Sequence, residues 1–65
     1  MRLRTWEARQ AAGLTLYQLE ALTGIGKTTL NNIENGKVSP RLDQLEAIAK
    51  ATGRRITDLF DSSVK

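Results

Sequence analysis

The sequence predicts an all-helical domain of five short helices, and three observations carry that expectation. Gly13, Gly24, Gly26, Gly36 and Gly53, with the single proline Pro40, divide the 65 residues into segments of about ten, the size of short helices between breakers. No stretch alternates apolar and polar residues over five or more positions, and β-branched residues are scattered, so strand signals are missing. Several segments between the breakers instead carry apolar residues at intervals of three, the mark of one buried helical stripe.

Taken in order, helix one is expected over residues 2–12, closed by Gly13 in a left-handed conformation. Helix two begins at Thr15, with Gln18 three residues later, a capping-box pattern in which each side chain satisfies an orphan backbone N–H. Leu16, Leu19 and Leu22 form its stripe, and it stops before Gly24. Helix three runs from about Lys27 to Asn35, turns Leu30 and Ile33 inward, and ends at Gly36. Helix four starts after Ser39 with Pro40 in its first turn, and carries Leu42, Leu45, Ile48 and Ala49 to Gly53. A fifth helix capped by Thr57 is expected to bury Ile56, Leu59 and Phe60, and residues 61–65 read as a fraying tail. The expected core is Leu14, Leu19, Leu22, Ile25, Leu30, Ile33, Leu42, Leu45, Ile48, Ala49, Ile56, Leu59 and Phe60.

Length fits one domain over residues 1–65, and a chain this short buries only about 60% of its unfolded surface, so packing must be efficient. With 40% hydrophobic and 26% charged residues, the composition is that of an ordinary globular domain. Cysteine and histidine are both absent, which excludes disulfide frameworks, zinc knuckles, and thiol or imidazole chemistry. No cofactor, small-molecule ligand or membrane partner is expected, and apolar runs are too short for a transmembrane helix. Without a signal-peptide pattern the expected compartment is the cytoplasm. Net charge is +3. The excess lies in residues 1–42, where six cations face three anions; beyond them the charges balance. A polyanion is a fair partner for such a surface.

One motif invites an enzymatic reading. Ala21-Leu-Thr-Gly-Ile-Gly-Lys-Thr28 fits the permissive phosphate-loop pattern, with alanine in place of the strict first glycine. That loop requires a strand feeding the turn and a helix facing the phosphates. Here the preceding residues read as a helix, and the chain has no room for the parallel sheet and acidic metal site. The expectation is that the protein is not an enzyme.

Helix two, the turn at Thr23–Ile25 and helix three have the spacing of a helix-turn-helix. The segments Gly13-Leu-Thr-Leu-Tyr-Gln-Leu, Thr23-Gly-Ile-Gly-Lys-Thr-Thr-Leu-Asn-Asn-Ile-Glu-Asn-Gly-Lys37 and Ser39-Pro-Arg-Leu-Asp-Gln-Leu resemble the Cro/repressor family of phage and bacterial regulators, also called the xenobiotic-response-element family. The match spans roughly residues 9–60, and Ile33-Glu-Asn-Gly36 followed by Ser39-Pro40 is its most specific part. The resemblance implies a lambda-repressor-like fold, with helix three in the major groove of double-stranded DNA. It places Lys27, Thr28 and Asn32 at base-reading positions, with Thr29 and Asn31 next in line. Lysine donates to guanine, asparagine pairs with adenine, and a threonine methyl packs on thymine. Lys37, Ser39 and Arg41 fall in the phosphate-clamping loop, Tyr17 and Gln18 are further phosphate candidates, and Arg9 with Glu34 occupies the place of a structural ion pair.

The same resemblance implies a repressor acting as a homodimer, formed before or on DNA, on a pseudo-palindromic operator, with dimer contacts near residues 54–60. A protein-interaction module of the same fold, such as an antitoxin or adaptor, is the alternative. Two departures from the family pattern stand out. Leu16 replaces a phosphate-gripping glutamine, and Glu20 replaces a small alanine where helices two and three nearly touch, so its carboxylate must reach solvent, Lys27 or an arginine. In helix one, Thr5 and Ala8 stand where larger aliphatics are common, leaving Trp6 either to fill that volume or to form a contact surface.

Overall fold

The computed structural model describes residues 2–61. In chain order the elements are β1 (Arg2–Leu3), α1 (Thr5–Ala11), α2 (Leu16–Thr23), α3 (Lys27–Glu34), α4 (Leu42–Thr52), a 3₁₀ turn (Ile56–Leu59) and β2 (Phe60–Asp61). Four α-helices are therefore present among the described residues, and the fifth expected helix is a single 3₁₀ turn. Arg55, not Thr57, precedes that turn; its backbone N–H donates to the Asp58 carboxylate at 3.1 Å. By Phe60 the backbone is already extended (φ −139°, ψ 149°), which leaves no room for another helical turn.

The extended residues at the two ends explain why α1 starts late. β1 pairs antiparallel with β2, Leu3 opposite Phe60 and Arg2 opposite Asp61, and the Arg4 N–H continues the contact to the Leu59 carbonyl at 2.6 Å. Residues 2–4, expected to be helical, are held extended by this pairing. It is too short to leave an alternation in the sequence. Asp61 belongs to it, while the rest of the expected tail, residues 62–65, lies outside the described residues.

α2 begins as the capping box requires: Gln18 N–H donates to Thr15 Oγ1 at 3.1 Å, and Thr15 N–H donates to Gln18 Oε1 at 2.8 Å. Gly24 ends it at φ +75°, a left-handed conformation that costs other L-residues steric strain. The Thr23 hydroxyl then shapes the turn, donating to the Leu19 carbonyl and accepting from the Ile25 N–H. α3 closes in a Schellman arrangement around Gly36 (φ +74°): the Gly36 N–H reaches the Ile33 carbonyl and the Lys37 N–H the Asn32 carbonyl. α4 opens two residues later than expected. Arg41 is its N-cap and its N–H donates to Gln44 Oε1 at 2.9 Å, so Pro40 stays outside the helix.

The core consists of Ala8, Leu19, Leu30, Ile33, Leu45, Ile48, Ala49 and Leu59, with α2 packed on both α3 and α4. Leu3, Leu14, Leu16, Ile25 and Ile56 pack against it half-buried. Two expected core residues are on the surface: Leu22 is 61% and Leu42 65% exposed. A helix turns about 100° per residue, so positions six apart lie about 120° apart around the axis. Leu19 buries fully, Leu16 in part, and Leu22 has rotated out. Leu42, at the first position of α4, overhangs the core. Phe60 is only half-buried. Thr5 and Ala8 fill the inner face of α1, the Thr5 hydroxyl buried with no hydrogen-bond partner. Trp6, half exposed, does not fill that volume; it lines a surface groove with Leu3, Ile33 and Val38.

Candidate nucleic-acid interface

α3 has an inner face set by Leu30 and Ile33, each 1% exposed. With about 100° per residue, Thr28 lies opposite that face, Asn31 and Asn32 flank Thr28 on either side, and Lys27 stands at the edge toward α2. These four form one polar surface; Thr28 and Asn31 are exposed, Lys27 and Asn32 half-exposed. Thr29 does not join them. It is exposed but lines a separate groove with Gly24, Gly26, Arg41 and Gln44, on the side of α3 that faces α4.

At the junction of α2 and α3, Glu20 has found a partner. Its Oε2 accepts the backbone N–H of Lys27 at 3.0 Å, so it serves as the cap that Gly26, without a side chain, cannot provide. Of the routes open to it, Glu20 takes Lys27, through the amide and not the ammonium. The Lys27 ammonium instead lies over the Tyr17 ring, 5.0 Å from its centroid, a cation–π distance. Tyr17 is 69% exposed beside the α3 surface. Leu16 packs half-buried against the core, and its apolar side chain has no donor to offer a phosphate.

The remaining predicted contacts divide by position. Gln18 has its carbonyl oxygen committed to the cap of α2, leaving its amide NH₂ to donate outward. Lys37 is exposed immediately beyond α3, its backbone amide already engaged with Asn32. Ser39 lines the groove beside Trp6 and Val38, apart from Arg41. The Arg41 guanidinium is mostly exposed and lies 3.4 Å from the Asp43 carboxylate, a surface pair of little energetic weight.

Behind this surface sits the ion pair of Arg9 and Glu34. Arg9 Nε donates to Glu34 Oε2 at 2.6 Å and Nη2 donates to Oε1 at 3.0 Å, while Nη1 donates to the Leu14 carbonyl at 2.9 Å. The hydrogen bond to Glu34 holds the Arg9 guanidinium above its ordinary pKa against the opposing effect of burial, and the Glu34 charge adds to it. The pair locks α1 to the last residue of α3.

Sequence reasoning missed Glu20 as a cap and Thr23 as the turn's organiser. Nothing local marks the first, since its partner lies seven residues away on another helix; the second had a visible signal, a hydroxyl residue just before a helix-ending glycine. The phosphate-loop reading fails on structure too, because Ala21 to Thr23 are the last residues of α2 and no strand leads into the turn.

The sequence profile of the helix-turn-helix family matches residues 7–59. The HTH-type transcriptional regulator PuuR of Escherichia coli (strain K12) is 31% identical over 62 residues, covering 95% of this chain and 34% of its own length. An uncharacterized HTH-type transcriptional regulator of Methanothermobacter thermautotrophicus is 38% identical over 61 residues, covering 92% of this chain and 88% of its own. The chain thus spans about a third of the length of PuuR. No helix among the described residues is long and apolar enough to cross a membrane.

Proposed function

The chain belongs to the helix-turn-helix family, of the Cro/repressor or xenobiotic-response-element type, and from that premise we propose that it binds double-stranded DNA sequence-specifically as a transcriptional regulator, acting as a repressor. The observation that carries the reading is the outward face of α3. Lys27, Thr28, Asn31 and Asn32 project together from a helix whose back is sealed by Leu30 and Ile33, and both capped ends fix its pose. Such a helix fits the major groove, where these side chains match base edges. Thr29, turned toward α4, serves at the rim of that surface. Tyr17, the Gln18 amide, Lys37, Ser39 and Arg41 surround the face at positions suited to phosphates, which give register and affinity without reading sequence.

As a homodimer on a pseudo-palindromic operator, the protein would place two α3 helices about one helical turn, ~34 Å, apart. The cytoplasm is the compartment in which such a regulator meets DNA. Fluorescence anisotropy against random duplex DNA at two salt concentrations tests the reading. Each neutralised phosphate contributes about −0.9 to the log–log slope, so several contacts give a steep loss of affinity. Absence of binding at low salt overturns the proposal. Selection from a random duplex pool then yields the operator.

A further inference from the structure

We propose that Tyr17 and Glu20 are positioning residues that grip Lys27 at both ends, and that this grip sets the base preference at the operator position Lys27 reads. The inference rests on the DNA-reading function proposed above and deepens it. Positions 17 and 20 are three apart on α2 and therefore neighbours on one face. Glu20 fixes the Lys27 backbone through its N–H at 3.0 Å, and Tyr17 engages the ammonium 5.0 Å from the ring centroid. The first residue of α3 is thus tied to α2 by its main chain and by the tip of its side chain.

Each half of the grip has a distinct physical effect. A free lysine has a long flexible stem and loses much rotamer freedom on taking up a fixed contact; one already held over a ring loses less. The Tyr17 ring therefore favours the pose it holds over the others Lys27 can adopt. Glu20 occupies one of the orphan amides at the helix start and places a negative charge at its positive end. That keeps a phosphate from settling there and pulling α3 out of register, at the cost of some attraction to DNA of any sequence.

Two measurements test this, one of them without DNA. In the free protein, the Lys27 side-chain methylene protons are expected to be shifted upfield by the Tyr17 ring, to keep that shift in Tyr17→Phe, and to lose it in Tyr17→Leu. On the selected operator and its single-base-pair variants, Tyr17→Leu should lower the preference about two- to fivefold, the worth of an exposed cation–π contact. That loss should fall at the same position where Lys27→Ala abolishes preference. Tyr17→Phe keeps the ring and the preference while weakening all sequences through loss of the hydroxyl.

Glu20→Gln retains an acceptor for the amide, so preference persists while affinity for random DNA rises. Glu20→Ala loses both, and preference falls; should it fail to fold, Glu20→Gln still decides the role of the charge. Lys27 methylenes at random-coil shifts in the wild type overturn the grip, as does an unchanged preference in a folded Tyr17→Leu. If the wild type binds no duplex at all, the DNA-reading function is what fails, and the methylene shifts alone then decide whether the grip exists.

Discussion

Replacing Arg9 by methionine is expected to remove a large share of the protein's stability. The substitution keeps the aliphatic stem and removes the guanidinium, deleting two hydrogen bonds to Glu34 and one to the Leu14 carbonyl. It strands a carboxylate whose side chain is 4% exposed. Breaking a buried pair from one side costs about 3–5 kcal/mol. A domain of this length has roughly 3–10 kcal/mol in total, at about 0.05–0.15 kcal/mol per residue. With a urea m-value near 1 kcal/mol/M for a small protein, the midpoint should fall by about 3 M or more. Far-UV circular dichroism in urea measures it, and the double variant Arg9→Met/Glu34→Leu, which leaves no orphaned charge, should recover much of the loss. Because the hydrogen bond to Glu34 holds the folded-state pKa of Arg9 above the ordinary arginine value, its contribution is complete below that ordinary value and disappears only as pH rises through the higher folded one. The cost of Arg9→Met should therefore be flat from pH 7 to about pH 10, where the guanidinium is fully charged. A loss below about 1 kcal/mol would refute the assignment of Arg9 and Glu34 as a desolvated pair.

Asn32→Ala should cost about 1–3 kcal/mol on the selected operator and little on random duplex, whereas Lys37→Ala should weaken both alike and reduce the salt slope by about one; equal losses on both DNAs for Asn32→Ala would remove it from the reading face. Leu19→Ala, at a fully buried site, should destabilise by about 2–5 kcal/mol, while Leu22→Ser, on the surface, should stay within about 0.5 kcal/mol. Thermal melts of the pair show at once whether the face of α2 is drawn correctly. Thr5→Val replaces a buried hydroxyl without a partner by a methyl of similar size, and should be neutral or stabilising by about 1 kcal/mol; a clear loss would mean that the hydroxyl is satisfied in solution.

The parts of the fold that could be read from the chain are those with local chemistry. Thr15 and Gln18 announce the start of α2 because a capping box spans four residues, and Gly24 and Gly36 announce helix ends because their conformation is intrinsic to glycine. Leu22 was misplaced because a spacing of three in one dimension does not keep residues on one side of a helix of 3.6 residues per turn, and Leu42 because it stands at the first position of α4, past the edge of the core. Pro40 pointed to a helix start that the Gln44 side chain moves to Arg41. The extended ends were invisible, since their pairing joins residues from opposite ends of the sequence. At the candidate interface, the residue types on α3 were legible, and so was the anomaly of Glu20, but not its resolution. That resolution required knowing that α2 delivers a carboxylate to the first amide of α3.

The pairing of Leu3 with Phe60 has a consequence for anything joined to this chain. The first and last described residues lie side by side, so the helices between them form a loop that is nearly closed on itself. A segment fused before Arg2 or after Asp61 departs from one common point, and a linker joining those points would complete the circle without displacing α2 or α3. Circular permutants opened in the loop between Ala11 and Leu16 should therefore retain the same turn between α2 and α3.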